Sequence, residues 1–109
     1  IIGYSPCEMH SIKGGMTNCQ AEMKKAVECG YWNIFRYNPA LKAEGKNPFT
    51  IDSKPATGDY KAFLLNEARY SSLTRSFPDR ANELFDKAAD NAKAQRAHLE
   101  KLVELYKPE

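Results

Sequence analysis

The chain has 109 residues, room for one small domain. With 42% hydrophobic and 28% charged residues it has the composition of an ordinary globular protein, and it contains no run of 18 apolar residues to cross a membrane. Its 16 basic and 14 acidic residues are interspersed at a net charge of +2, which gives no footprint for nucleic acid or an anionic membrane. The three cysteines are too sparse for a secreted disulfide scaffold, so a reducing, cytoplasmic setting is expected.

Ile1 to Tyr4 is short, apolar and β-prone and runs into Ser5-Pro6, which predicts the end of a buried strand. A chain that starts inside an apolar run, without an initiator Met or a basic n-region, looks like a piece of something longer. Residues 5 to 16 have no period and carry Pro6, Gly14 and Gly15, so they read as loop. Thr17 and Gln20 have the spacing of a capping box, and Ala21, Met23, Ala26 and Val27 supply an apolar stripe after it. Gly30 is placed to close that helix in the left-handed conformation. Tyr31 to Tyr37 is aromatic and β-branched enough for a short strand, which Asn38-Pro39 ends.

Residues 39 to 58 hold three prolines and two glycines and predict irregular chain, with a brief extended piece at Phe49 to Ile51. Thr57-Gly58-Asp59 caps a short helix through Phe63 and Leu64, and a second short helix spans Glu67 to Thr74. Pro78 suits a first helical position and Asp79 complements the helix dipole. Phe85, Ala88, Ala92, Gln95, Leu99, Leu102 and Tyr106 then alternate steps of three and four, predicting a helix of roughly 25 residues ended by Pro108. Ala88, Ala89, Ala92 and Ala97 suit close packing on a neighbour, and Gln95 interrupts the seam that a coiled coil would need. The fold class is thus mostly α with a short β N-terminal part, α+β for the isolated piece.

Cys7 stands one residue past a proline, at the end of a β-prone segment and the head of a Gly-containing loop. Loops at strand ends hold ligands, and a thiolate there can bind a soft metal or an iron–sulfur cluster. An inert, half-buried thiol is the other reading. His10 makes a Cys-x-x-His pair with Cys7. Cys19 and Cys29, ten residues apart on one helix, stand about 15 Å apart along its axis, too far to complete a zinc site with bonds near 2.3 Å. They read as small helix-face residues. Lys13-Gly14-Gly15-Met16-Thr17 precedes a helix N-terminus but lacks the full spacing of a phosphate-binding loop. His98 reads as a solvated residue, and no carboxylate pair in a closed setting is visible.

Tyr4-Ser5-Pro6-Cys7, His10 and Ile12-Lys13-Gly14-Gly15-Met16 resemble the loop after the last thiamine-domain strand of the pyruvate:ferredoxin (flavodoxin) oxidoreductases. The resemblance continues through Ala26 to Trp32, Phe35-Arg36-Tyr37-Asn38-Pro39, Gly45 to Lys54 and Ala68 to Leu73, so it covers essentially the whole chain. It implies the C-terminal portion of an α/β thiamine-diphosphate-binding domain, with residues 1–38 ending the α/β core, 39–58 an irregular wrap and 59–109 a helical extension. It implies an enzyme that oxidatively decarboxylates pyruvate with CoA to acetyl-CoA and CO2. Electrons pass through [4Fe-4S] clusters to ferredoxin or flavodoxin, and thiamine diphosphate with Mg2+ carries the carbanion chemistry.

By the same resemblance Cys7 is the fourth thiolate of the cluster nearest the thiamine, and the other three cysteines lie upstream of this chain. The partners implied are the rest of the parent polypeptide, the electron acceptor, CoA and a second copy in a homodimer. The fragment alone is expected to bind none of the cofactors and to be inactive. Glu8 and Ser11 depart from the family, which often carries a neutral residue after the Cys and Gly after the His. Two further functions compete: a non-enzymatic helical interaction module, and a small metal-binding domain using Cys7 and His10.

Overall fold

A computed structural model describes residues 1–6 and 12–109. The chain is mostly helical, with one small sheet. After a 3-10 turn at Met16–Asn18 come α1 (Cys19–Glu28), β1 (Phe35–Tyr37), α2 (Ala40–Ala43) and β2 (Phe49–Ile51). Four helices follow, α3 (Tyr60–Asn66), α4 (Ala68–Ser71), α5 (Leu73–Ser76) and α6 (Pro78–Leu105).

The strand expected at Ile1 to Tyr4 is absent. Among the described residues they pair with no other backbone, and Ile1 and Ile2 are exposed. A β-prone run becomes a strand only beside a partner, and no described segment of this chain lies alongside it. The sheet forms instead between β1 and β2, antiparallel, with Phe35 opposite Ile51 and Tyr37 opposite Phe49. Tyr31 and Trp32, expected in the first strand, leave it to pack against the core.

The capping box also fails to form. Thr17 Oγ1 bonds the Gly14 carbonyl at 3.3 Å, and α1 begins two residues later with no side-chain cap. Its buried face is Glu22 and Ala26, with Cys29 at the C-cap, while Ala21 is exposed. Gly30 closes α1 at φ 83°, as expected. The loop then returns to seal the helix end: the amides of Thr57 and Gly58 both donate to the Glu28 carbonyl at 2.9 Å. Gly58 approaches so closely that a Cβ there would stand 3.2 Å from the Cys29 Cα, so glycine lets the two backbones meet.

Asp59 caps α3 as expected, its Oδ1 accepting from the Ala62 amide at 3.1 Å. The predicted helix from Glu67 to Thr74 starts one residue later, because Glu67 is extended (φ −94°, ψ 120°), and it runs as two short helices, α4 and α5, that meet at Ser72. Pro78 opens α6, which runs 28 residues and is about 42 Å long at 1.5 Å per residue. It lies along the body rather than forming a free coiled coil, packing on α5, α3 and β2. Its inner line is Ala81, Phe85, Ala88, Ala92, Arg96, Leu99 and Val103, so Arg96 takes the seam position assigned to Gln95, which is exposed. The core sits where α1, α3 and the start of α6 meet: Ala26, Cys29, Phe63, Leu64, Ala81 and Phe85. No helix among the described residues is long and apolar enough to cross a membrane.

Candidate functional site

Cys7, the residue singled out from sequence, lies outside the described residues, as do Glu8, His10 and Ser11. Both flanks of that segment are packed into the core-bearing half of the molecule. On the upstream side Pro6 is buried, and the Tyr4 ring stacks on Trp32 at 5.5 Å and tilts against Tyr31 at 5.8 Å. Tyr31 is the hub: its ring meets Phe63 at 4.8 Å and Tyr60 at 6.1 Å, and its hydroxyl is 2.9 Å from that of Tyr70. Such offset and tilted pairs each add about 0.5–1.5 kcal/mol beyond the area they bury. Tyr31 and Trp32 thus serve as packing against the core.

On the downstream side Ile12 is buried and forms an antiparallel bridge with Glu67, and the Lys13 amide donates to the Asn66 carbonyl at 2.9 Å. A tight turn follows: Gly14 and Gly15 have φ 94° and 71°, and Asn18 Nδ2 donates to the Lys13 carbonyl at 3.1 Å. The glycines therefore serve a turn whose acceptors are filled from its own side chains.

Between these flanks lies a pair of acidic residues that the sequence did not reveal. Glu22 of α1 is 1% exposed, and its charge acts on Glu67, at the α3–α4 junction. One oxygen of each, Oε1, is buried without a partner. Burial pushes both carboxyls above their ordinary range. For Glu67 the nearby charge and hydrogen bond of Glu22 push the same way; for Glu22, Lys25 and the bond to Glu67 pull back. The pair in turn acts on Tyr4, whose hydroxyl is pushed up to about 12, by burial first and then by Glu67 and Glu22. A signal was present in the sequence: Cys19, Glu22, Ala26 and Cys29 recur at steps of three, four and three, setting a carboxyl inside the buried face.

Cys29 is buried, its thiol contacts the Ala26 carbonyl at 3.6 Å, and burial pushes its pKa up. A thiol held in its neutral form is a poor metal ligand, which agrees with its reading as a helix-face residue. His98 is exposed. Among the described residues no three His, Cys, Asp or Glu side chains gather to hold a metal ion.

The chain is 51% identical over 104 residues to a pyruvate:ferredoxin oxidoreductase of Moorella thermoacetica and 42% identical over 103 residues to a pyruvate-flavodoxin oxidoreductase of Klebsiella pneumoniae. These alignments cover 95% and 94% of this chain. The chain is a segment homologous to the pyruvate:ferredoxin/flavodoxin oxidoreductases. It is also 36% identical over 104 residues to a mitochondrial NADP(+) pyruvate dehydrogenase of Euglena gracilis. The segment spans 9%, 9% and 6% of the length of these three relatives, a small part of each. No protein-family model matches it.

Proposed function

We infer that the segment is the C-terminal part of the thiamine-diphosphate-binding domain of an enzyme that oxidatively decarboxylates pyruvate, forming acetyl-CoA and CO2 from CoA. Electrons leave through [4Fe-4S] clusters to ferredoxin or flavodoxin, and Mg2+ anchors the thiamine diphosphate. The parent works in the cytoplasm as a homodimer. The observation that carries this reading is the identity of 42–51% along nearly the whole segment with relatives named for that chemistry.

In this reading Cys7 gives one thiolate to the cluster nearest the thiamine, and the remaining ligands come from elsewhere in the parent. Support comes from the flanks, because a ligand must be held in place and both Pro6 and Ile12 are buried against the same body. The segment alone has neither the other cysteines nor the metal-diphosphate motif, and is inactive.

The test is Cys7→Ala in the full-length enzyme, followed by iron and acid-labile sulfide analysis. The variant is expected to lose the iron and sulfide of one cluster and with it electron transfer to the acceptor. Retention of every cluster together with full electron transfer would remove Cys7 from the ligand set. Loss of iron without loss of thiamine-dependent decarboxylation would place the defect at the cluster alone.

A further inference from the structure

The hairpin leaves one edge open. The Asn38 amide donates to the Pro48 carbonyl at 2.8 Å, and the Asp52 amide to the Ile34 carbonyl at 2.7 Å. In the register that sets Arg36 opposite Thr50, residues 34, 36 and 38 therefore turn their ladder groups toward β2. Phe35 and Tyr37 turn their amides and carbonyls the other way. The sheet stops at two strands, and among the described residues these outward groups meet no other backbone. β2 differs: α6 packs on it, and Asn47 Oδ1 accepts from its Phe49 amide at 3.0 Å.

The open edge has what it needs to pair. It carries no proline and no bulge, and Ile34-Phe35-Arg36-Tyr37 is rich in β-prone residues. Its one charge, Arg36, is taken up by Asp52. Phe35 and Tyr37 are half exposed, and their rings continue onto Phe49 and Tyr106 in one row. A bare apolar edge of this kind is a template for another strand, and a two-stranded ribbon gains stability when one is added.

The surroundings say what kind of strand. Charges around the row are met by one another: Arg36 by Asp52, Lys46 by Glu44 and Lys107 by Glu104. Little field is left to steer a charged, transient partner, and a neutral aromatic surface suits permanent packing. The segment spans 9% of each of two relatives, so most of such a protein lies outside it and is tethered nearby. We propose that an extended, apolar stretch of the same parent polypeptide, from outside these 109 residues, adds a third strand along β1 and covers the row of rings. This goes beyond the proposed function: it rests on the segment belonging to a longer chain, and on neither Cys7 nor any cofactor.

The experiment uses the full-length protein. Hydrogen exchange resolved to single residues reads the Phe35 and Tyr37 amides, which an added strand should slow by about a hundredfold or more against unstructured peptide. Exchange of either amide at the unstructured rate overturns the proposal. The photoreactive residue p-benzoylphenylalanine, placed at Tyr37, then identifies the occupant. The expected product is a link inside one polypeptide, at the mass of a single chain, to a peptide outside these 109 residues. A link between two chains, to added ferredoxin or flavodoxin, or to another part of this segment overturns the proposal. If the Tyr37 variant fails to fold or to link, the same label at Phe35 replaces it, and no link from either position also overturns the proposal.

Discussion

The two ends of α6 live in different surroundings. Its first half, with Ala81 and Phe85, closes a core shared with α1 and α3 in which Ala26, Phe63 and Leu64 are almost fully buried. Its second half packs on the β1–β2 hairpin, and the rings there form an open row. Phe35 stacks on Phe49 at 5.5 Å, and Tyr106 lies 5.3 Å from Tyr37 and 6.3 Å from Phe49. Phe35 and Tyr37 remain half exposed. The first end is held by apolar burial from several directions. The second is held on one side only, with a buried polar cluster making up part of the difference: Arg96 donates to Ser53 Oγ at 3.1 Å and to Asn33 Oδ1 at 3.4 Å, while Ser53 Oγ accepts from the Ile34 amide at 3.1 Å. A small segment of a much longer protein is thus packed at one end and half-packed at the other.

Truncation separates these two regimes most sharply. Phe63→Ala should cost about 3–5 kcal/mol, because a buried ring is removed from a core that cannot collapse around the gap. Phe35→Ala on the open row should cost far less in the segment itself. Denaturant midpoints at constant slope measure both, and near-equal losses would break the distinction between the two ends.

Arg96→Ala comes next. Its side chain is 16% exposed, and its removal takes one donor from Ser53 and one from Asn33 and leaves Glu100 without its cation. Hydrogen bonds to charged groups contribute about 1.5–3 kcal/mol, and that range is the expected loss. Protection of the Ile34 and Asp52 amides should fall more than that of the Ala26 amide. A uniform loss would mean that Arg96 does not serve the hairpin end specifically.

Much of this contrast was legible in the sequence, and the exceptions share a cause. The Asp59 cap, the Gly30 stop, the extended Phe49 to Ile51 and the long helix from Pro78 all depend on chemistry within a few residues, and all appear. The strand at Ile1 to Tyr4 and the pairing of β1 with β2 depend on which partner lies alongside, which spacing does not record. Glu22 and Arg96 were missed because spacing alone leaves a buried line free to pass through either of two adjacent residues. Each is a charged residue on a buried helix line, at the step where Met23 and Gln95 were assigned instead. The candidate site divides the same way. Cys7 was found from a family resemblance, whereas the carboxyl pair comes from a tertiary meeting of residues 45 positions apart.

Asp59→Ala should destabilise by about 0.5–2 kcal/mol through loss of the bond to the Ala62 amide, an effect confined to the packed end. Alkaline titration also reports on that end. Tyr4 is pushed up to about 12 and Tyr31 is raised too, by burial and its hydrogen bond with Tyr70. Because these folded-state values exceed the ordinary 10, the stability linked to them is present below pH 10 and is lost as pH rises through the folded values. Tyrosinate absorption should therefore develop late for Tyr4 and Tyr31, and Tyr4→Phe should shrink that late step by one tyrosine.

The smallest expected effect belongs to the exposed ion pair across the hairpin. Arg36 grips Asp52 through two bonds of 2.8 Å, a geometry that would be strong in a buried setting. Here the Arg36 side chain is 76% exposed on a strand with no buried residue, so water and salt compete for both partners. Arg36→Ala should leave the unfolding midpoint unchanged within error, although the same bidentate pair looks stronger on the page than the single longer contacts of Arg96. If Arg36→Ala destabilised the segment as much as Arg96→Ala, burial would not be what distinguishes the two arginines. The hairpin would then be held mainly across its solvent face rather than through its seam with α6.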